Sequence, residues 1–595
     1  MSLVTGLQRE GRFFSGLFRT LGRVRSIEAA STNLICDDLE AAMDRWRSRT
    51  AITFEGARVS YGEFDAIANR YAHWAVAQGV GRGETVAIFL PNRLDYLAIW
   101  YGLTKVGVVG ALINNQLAGP SLAHCLTISG ARHCLVDDET APALAAARGL
   151  LAQPMTEWTL GEAGDSRRDL AAAVAALPAS RPDRAIRAGM TAKDTALFIY
   201  TSGSTGLPKA ARITHTRAQL YMRGFAGATG ARFDDVIYVT LPLYHATGGL
   251  CAMGAALLNG ACVILRRRFS ASHFWPEIAA QGATMFVYIG ELCRYLVDQP
   301  PGPDERSHKL RLAVGNGMHA DVWRVLEDRF AVPRVLEFYG STEGNVSMFN
   351  FDGKLGAIGR VPSILAGAFN IALVRFDVDQ GVDVRGADGF CVRAPVGEVG
   401  ECLGQIHGDT RSSYSGYVDR SASEKAVLTD VFKRGDRWFR TGDLMRQDKD
   451  GYFYFVDRVG DTFRWKGENV STGEVTEHLL AAPGVREANV YGVTVGAMEG
   501  RAGMAALVVD ETFDLKAFDA YVRAALPPYA QPLFIRLMPH LETTGTFKPR
   551  KVDLVAQGFD PAKVPTDLYF RAQVQGFIPI TPDLYTRIMA GAVRV

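Results

Sequence analysis

The eight cysteines are scattered through 595 residues and no two share a CxxC spacing. That removes the usual patterns of a structural zinc site and of a disulfide framework, and it fits a reducing compartment. An excess of one charge is missing too. The 65 Lys and Arg against 63 Asp and Glu leave a formal charge of +2, which gives no argument for nucleic acid as a partner. The N-terminus shows no clean apolar core followed by a small-residue cleavage site, so no secretory signal is read there. The expected location is cytoplasmic, peripheral on the inner face of the membrane. One uncharged stretch of twenty residues, 246–265, is long enough to span a bilayer. Gly248, Gly249, Gly254 and Gly260 interrupt it, and Asn259-Gly260 is a turn signal, so it reads as a buried helix, a turn and a strand. There is no tandem repeat and no low-complexity tract.

What is present is ordinary globular composition, 48% apolar and 22% charged, at a length that suits about four compact units of ~150 residues. From about residue 50 strand and helix patterns alternate. Ser60 and Glu63 frame a capping box, and TVAIFL (85–90) reads as a buried strand. LDYLAIWYGLTKVG (94–107) reads as an apolar helix, and VVGALIN and HCLVDD as further strands. This is repeated βαβ, hence parallel sheets with helices on both faces. Residues 178–194 read as a connector. The alternation resumes through VIYVTLPLYH, ACVILRRR, ATMFVYIGE, LRLAVGNG and RVLEFYGSTEG. Two such sheets fit before about residue 370, a small β-rich unit follows to 457, and 460–595 reads as a separate α+β unit. At the N-terminus a helical wheel puts Phe14, Leu17, Phe18 and Leu21 on one face and Arg12, Arg19 and Arg23 opposite. Such a helix lies in a membrane surface or docks on the protein's own core, and both readings stay open.

TSGSTGLPK (201–209) follows the apolar run ALFIY. Glycines allow a tight turn, successive N–H groups make an anion concavity, and Lys209 adds a mobile cation. The pattern reads as a polyphosphate cradle. It is not a Walker A loop: Gly203 and Gly206 have two residues between them, and Lys209 precedes Ala210. A competing pattern, GNGMHA (315–320), matches GxGxxA between a strand and a helix, with Glu337 placed like a ribose-binding acid. Alone it suggests a nicotinamide enzyme, but the loop at 201–209 has no role in one.

The segments TSGSTGLPK, LPLYHATG (241–248), EFYGSTEG (337–344), RTGDL (440–444), DRVGDTFRWKGENV (457–470) and TGTFKPRK (544–551) occur in this order. Together they resemble the adenylate-forming superfamily of acyl-CoA synthetases, peptide-synthetase adenylation domains and luciferases, over residues 35–555. VYIGELCRYLVDQP (287–300), FVDRVGDTFRWKGENV (455–470) and GFIPITPDLYTRIMAG (576–591) resemble the very-long-chain acyl-CoA synthetase and fatty-acid transport protein family within it.

The resemblance implies an α/β fold. A large N-terminal domain (31–459) would hold two doubly wound βαβ sheets and a small β-rich subdomain, after a basic amphipathic segment (1–30). A small mobile α+β domain (460–595) would turn on Gly460. It implies ATP and Mg²⁺ as cofactors, CoA as co-substrate and a fatty acid as substrate, with membrane contact through residues 9–25 and a homodimer as further expectations. Thr201, Ser202, Gly203, Ser204, Thr205, Gly206 and Lys209 would hold the β- and γ-phosphates. Gly315, Asn316 and Gly317 would line the adenine pocket, with Glu337 and Phe338 in the same nucleotide-binding set and Tyr339 over the adenine face. Thr342 would meet the α-phosphate, Glu343 would hold Mg²⁺, Asp443 and Arg458 would take the ribose, and His245 would gate the carboxylate. Lys548 would bridge that carboxylate and the α-phosphate, with Lys551 as its rival. Trp465, Lys466 and Gly467 would face the pantetheine channel. The implied activity is ATP-dependent ligation of a long- or very-long-chain fatty acid to CoA through an acyl-adenylate, releasing AMP and pyrophosphate. Alternatives are the same chemistry on a bile-acid, carnitine-like or aryl acid, an enzyme that stops at the acyl-adenylate, and a transport protein acting at the membrane.

Overall fold

The structure is a computed structural model. It describes all residues except 1–2, 164–166, 202–206, 379, 409, 411, 466–467, 497, 499, 543–550, 565–566 and 594–595. The chain forms two compact units, residues 1–360 with 405–428, and residues 361–404 with 429–595.

The first unit carries two largely parallel sheets, as the alternating pattern predicts. One runs in the order Arg168–Asp169, Thr156–Thr159, His133–Val136, Thr85–Ile88, Val109–Leu112, Thr195–Thr201 and Lys209–Thr214, with only the last strand antiparallel. The other runs Ser347–Phe349, Val335–Gly340, Leu312–Asn316, Met285–Ile289, Val236–Val239, Cys262–Leu265, Thr50–Phe54 and Ala57–Ser60. Its two edge strands are the antiparallel ones. The capping box forms, with Ser60 N donating to Glu63 Oε2 at 2.8 Å and Glu63 N to Ser60 Oγ at 3.2 Å. The helix Leu94–Lys105 is buried on every face from Tyr96 onward, which is why its sequence shows no polar stripe. Lys105 is tolerated inside because Asp65 Oδ1 and Asn69 Oδ1 each take its ammonium at 2.6 Å.

The uncharged stretch 246–265 becomes a π-helix Thr247–Ala252, a short α-helix Met253–Leu257, a turn with Gly260 at φ +78°, and the strand Cys262–Leu265. Among the described residues no helix is long and apolar enough to cross a membrane. The segment 178–194 is more than a connector. Arg181 pairs with Asp44 and Asp65, Arg184 with Glu40 and Arg187 with Asp37, stitching it to the helix Ile35–Arg45 and to Asp65.

The N-terminal helix Leu3–Val24 docks on the helix His215–Thr229, and it does so with a face the wheel did not single out. Phe13, Gly16 and Val24 are buried, while Leu7 and Phe18 are 72% and 66% exposed. Two glycines choose this face. A Cβ on Gly227 would lie 2.7 Å from Thr20 Cα, and one on Gly16 would strike the Phe351 ring. Two of the arginines opposite the apolar row reach the rest of the unit: Arg19 Nε donates to Gly227 O at 2.6 Å, and Arg23 to Asn259 Oδ1 at 2.6 Å.

In the second unit an antiparallel sheet holds Ile371–Val374, Val399–Gln405, Arg437–Gln447 and Tyr452–Arg458, the small β-rich region expected there. A five-stranded mixed sheet follows, in the order Val485–Val493, Ala502–Val509, Phe534–Leu537, Leu568–Ala572 and Gly576–Pro579. The tail 576–591 therefore supplies the edge strand Gly576–Pro579 and then the helix Pro582–Met589, and its Phe577, Ile580 and Ile588 are buried in the core of this unit. All eight cysteines are free, seven of them buried.

Candidate functional site

The apolar strand Thr195–Thr201 delivers Thr201 to the sheet edge, directly opposite Lys209 on the returning antiparallel strand. The first residue and the lysine of the candidate phosphate loop are thus in register on the two strands of a β-hairpin. Ser202, Gly203, Ser204, Thr205 and Gly206 lie outside the described residues.

The strand Val335–Gly340 points alternate side chains to opposite faces. Phe338 is 6% exposed and packs edge-on against Phe225, centroids 4.7 Å apart. It belongs to the core. Glu337 is on the other face and also buried. Its Oε1 accepts from Met318 N at 2.8 Å, and the Tyr288 phenol donates to Oε2. Burial pushes its pKa up to about 8. Glu337 is therefore a strut behind the loop 315–318, whether that loop is read for adenine or for a dinucleotide. The glycines of the loop have physical reasons. A Cβ on Gly315 would lie 2.2 Å from Tyr288 O, and Gly317 has φ +79°. Asn316 Oδ1 is buried with no hydrogen-bond partner. An orphaned acceptor on this loop fits the amino group of an adenine, and burying it without a partner would cost about 1–3 kcal/mol.

Beyond Gly340 the chain turns through Ser341, Thr342 and Glu343, all half-buried. Two residues absent from the sequence reading hold this turn. The Tyr221 phenol donates to Ser341 O and Thr342 O, each at 2.9 Å, and Arg217 Nε donates to Thr342 O at 3.2 Å. A third is Tyr417, whose phenol donates to Glu343 Oε1 at 2.8 Å and whose ring centroid lies 5.6 Å from Lys209 Nζ. Tyr417 is 74 residues from Glu343. The only sequence signal was the Gly-Tyr of SYSGYVDR, where Gly416 takes φ +71°. One half-buried carboxylate beside the candidate phosphate loop suits Mg²⁺, which keeps several waters and takes one or two carboxylates plus phosphate oxygens.

His245 sits at the entry to the π-helix, its ring 4.4 Å from that of Tyr244. Pro242 O accepts from His245 N at 3.2 Å, and His245 O accepts from Gly249 N at 2.8 Å. Gly248 and Gly249 are required, because a Cβ on either would run into Pro242 O or Leu243 O. π-helical turns recur at functional sites.

In the second unit Asp443 and Arg458 face each other in register across the hairpin of strands Arg437–Gln447 and Tyr452–Arg458, Nε to Oδ1 at 3.6 Å. Gly442, at φ +71°, turns the chain so that the Thr441 hydroxyl donates to Cys402 O and accepts from Asp443 N. Gly460 has φ +93°, and a Cβ there would meet nothing within 4 Å. It lines a cleft of about 200 Å³ with Phe376, Leu444 and Arg501. Trp465 is 3% exposed and packs into the C-terminal core, so its ring supports the hairpin Phe463–Val470 from inside rather than walling a channel. Lys466, Gly467 and Lys548 lie outside the described residues. Lys551 is engaged: its ammonium lies 2.7 Å from Thr472 Oγ1 and 3.2 Å from Asp461 Oδ2.

Among solved structures the chain is similar to an anthranilate CoA ligase in complex with anthranoyl-AMP. That likeness has a TM-score of 0.73 at 21% identity, covering 88% of this chain and 97% of that one. It is also similar to a Mycobacterium tuberculosis fatty acyl CoA synthetase, with a TM-score of 0.62 at 24% identity, covering 88% and 98%. These likenesses establish the fold. By sequence it is 38% identical over 576 residues to long-chain fatty acid transport protein 6 of Mus musculus, covering 94% of this chain and 92% of that protein. It is 42% identical over 522 residues to long-chain fatty acid transport protein 3 of Homo sapiens, covering 86% and 76%. Residues 39–399 match the AMP-binding enzyme family and residues 474–548 its C-terminal domain. The chain belongs to the AMP-binding enzyme family, among the relatives of the long-chain fatty acid transport proteins.

Proposed function

We propose that the protein ligates long- or very-long-chain fatty acids to CoA through an acyl-adenylate. The observation that supports this most is the pairing of Thr201 with Lys209 at one hairpin and of Glu343 with Tyr417 beside it, in a chain whose curated relatives are named for long-chain fatty acids. A carboxylate is a poor electrophile. Attack of its oxygen on the α-phosphate of ATP forms the mixed anhydride and releases pyrophosphate. A CoA thiolate then attacks the acyl carbon, and AMP leaves with the carboxylate oxygen. The protein's task is to position these groups and neutralise charge.

In this reading the loop 201–209 takes the β- and γ-phosphates, Asn316 the adenine amino group, and Tyr339 the adenine face. Asp443 and Arg458 take the ribose hydroxyls. Thr342 meets the α-phosphate, His245 stands at the acid, and Lys548 bridges acid and phosphate. Glu343 is the protein ligand for Mg²⁺, which supplies charge neutralisation on the departing pyrophosphate. Gly460 is the hinge between residues 31–459 and 460–595, and Lys466 and Gly467 line the thiol approach. An alkyl chain gains about 0.8 kcal/mol per buried CH₂, so a long chain is the substrate that rewards an apolar tunnel. A panel of carboxylic acids with ATP and CoA, read as AMP release, tests this: turnover only with aryl or bile acids would contradict it.

A second reading concerns where the acid comes from. The helix Leu3–Val24 buries one face and leaves Leu7 and Phe18 in solvent, with Phe14 stacked on Phe18 at 6.0 Å. Arg12 and Arg19 of this helix lie near Arg334 and near Arg311, which is ion-paired with Asp235. Burial first, and then Arg19, Arg12 and Arg311, lower the Arg334 pKa. An apolar ridge beside a positive cluster suits an anionic lipid surface, from which a fatty acid would be taken at the inner face of the membrane.

A further inference from the structure

We propose that Tyr417 is a positioning residue that orients the Glu343 carboxylate toward its cation and couples it to Lys209, the lysine that closes the phosphate hairpin. This rests on the reading of Glu343 given above. Segment 416–418 is zipped onto the strand Lys209–Thr214: Val418 N donates to Ala210 O at 2.9 Å, and Arg212 N to Gly416 O at 3.0 Å. The Tyr417 backbone is pinned a second time, its N–H donating to Ser423 Oγ at 2.8 Å. Gly416 makes room for this, since a Cβ there would come within 2.7 Å of that hydroxyl. From this fixed backbone one ring reaches one residue in each of two separate motifs. Its hydroxyl donates to Glu343 Oε1 at 2.8 Å, and Lys209 Nζ lies 5.6 Å from its centroid.

A carboxylate has two oxygens. A phenol held on Oε1 fixes the plane of the group and leaves Oε2 for a hard cation, so less rotamer freedom is lost when the cation binds. The same ring lies under the lysine that closes the phosphate loop, an arrangement a cation favours over a tyrosine face. Removing the hydroxyl alone should weaken cation binding. Removing the whole ring should also weaken phosphate binding.

The full chain is titrated with Mn²⁺ and ATP by electron paramagnetic resonance, and with ATP in the absence of metal by calorimetry. Tyr417→Phe should weaken Mn²⁺·ATP binding about tenfold, the scale of one charge-assisted hydrogen bond. Metal-free ATP affinity should stay within about twofold, because the ring stays under Lys209. Tyr417→Leu should weaken both. Glu343→Gln is the reference. If Glu343→Gln loses Mn²⁺ affinity and both Tyr417 variants keep it, Tyr417 is structural only and the proposal is overturned while the reading of Glu343 stands. If Glu343→Gln keeps Mn²⁺ affinity, the reading of Glu343 falls and the proposal with it.

Discussion

Glu337 Oε1 accepts a hydrogen bond from Met318 N at 2.8 Å, so an acid that the sequence places at a ligand instead holds a loop from behind. Burial raises its pKa from 4.5 to about 8. Between those values the folded chain keeps a proton that the unfolded chain has released, so stability falls as pH rises across the window. Glu337→Gln is neutral throughout and keeps an oxygen for Met318 N. Its melting temperature relative to the parent should climb by a few degrees as pH rises from about 5 to about 8. A difference that does not change with pH contradicts the assignment.

The two faces of the N-terminal helix should respond oppositely. Phe13 is 1% exposed, and Phe13→Ala should cost about 3–5 kcal/mol, read by denaturant unfolding. Leu7→Asp with Phe18→Asp should leave stability within about 0.5 kcal/mol per site and abolish flotation with anionic vesicles. If that double variant still floats, or if instead it converts a dimer to a monomer, the apolar ridge meets something other than lipid.

Lys548 and Lys551 should separate by half-reaction. Lys548→Ala should lose acyl-adenylate formation from acid and ATP, yet still convert added acyl-adenylate and CoA to the thioester. The lysine's charge is needed when a carboxylate approaches a phosphate, not when a thiolate attacks an activated acyl group. Lys551→Ala frees Asp461 and Thr472 and should change stability more than adenylation. Loss of adenylation in Lys551→Ala alone would reverse the assignment.

At Gly460, φ is +93° with open space around it, so a side chain meets backbone strain and no clash. Gly460→Ala should disfavour this hinge conformation by about 1–2 kcal/mol. One half-reaction should therefore change by about fivefold to thirtyfold relative to the other. Equal effects on both would place the hinge elsewhere.

The parallel core was legible because buried strands and helices write long apolar runs, as TVAIFL and LDYLAIWYGLTK did. Site loops were legible where backbone demands forced glycine, at Gly315, Gly317, Gly442 and Gly460. Side-chain partnerships were not. That Phe338 and Trp465 face the core, that Glu337 is a strut, and that Tyr417 meets Glu343 all depend on register and long-range contact, which carry no local period. The docking face of the N-terminal helix was hidden for a related reason: Gly16 and Gly227 select it by what they lack.

Adenylation of a fatty acid leaves its mark on the fate of one oxygen. A long-chain acid labelled with heavy oxygen in its carboxyl group is incubated with the protein, ATP, Mg²⁺ and CoA, and the products are read by mass spectrometry. Adenylation puts one labelled oxygen in the phosphate of AMP for each acyl-CoA formed. Label appearing in inorganic phosphate with ADP as the nucleotide product, or unlabelled AMP, would contradict it.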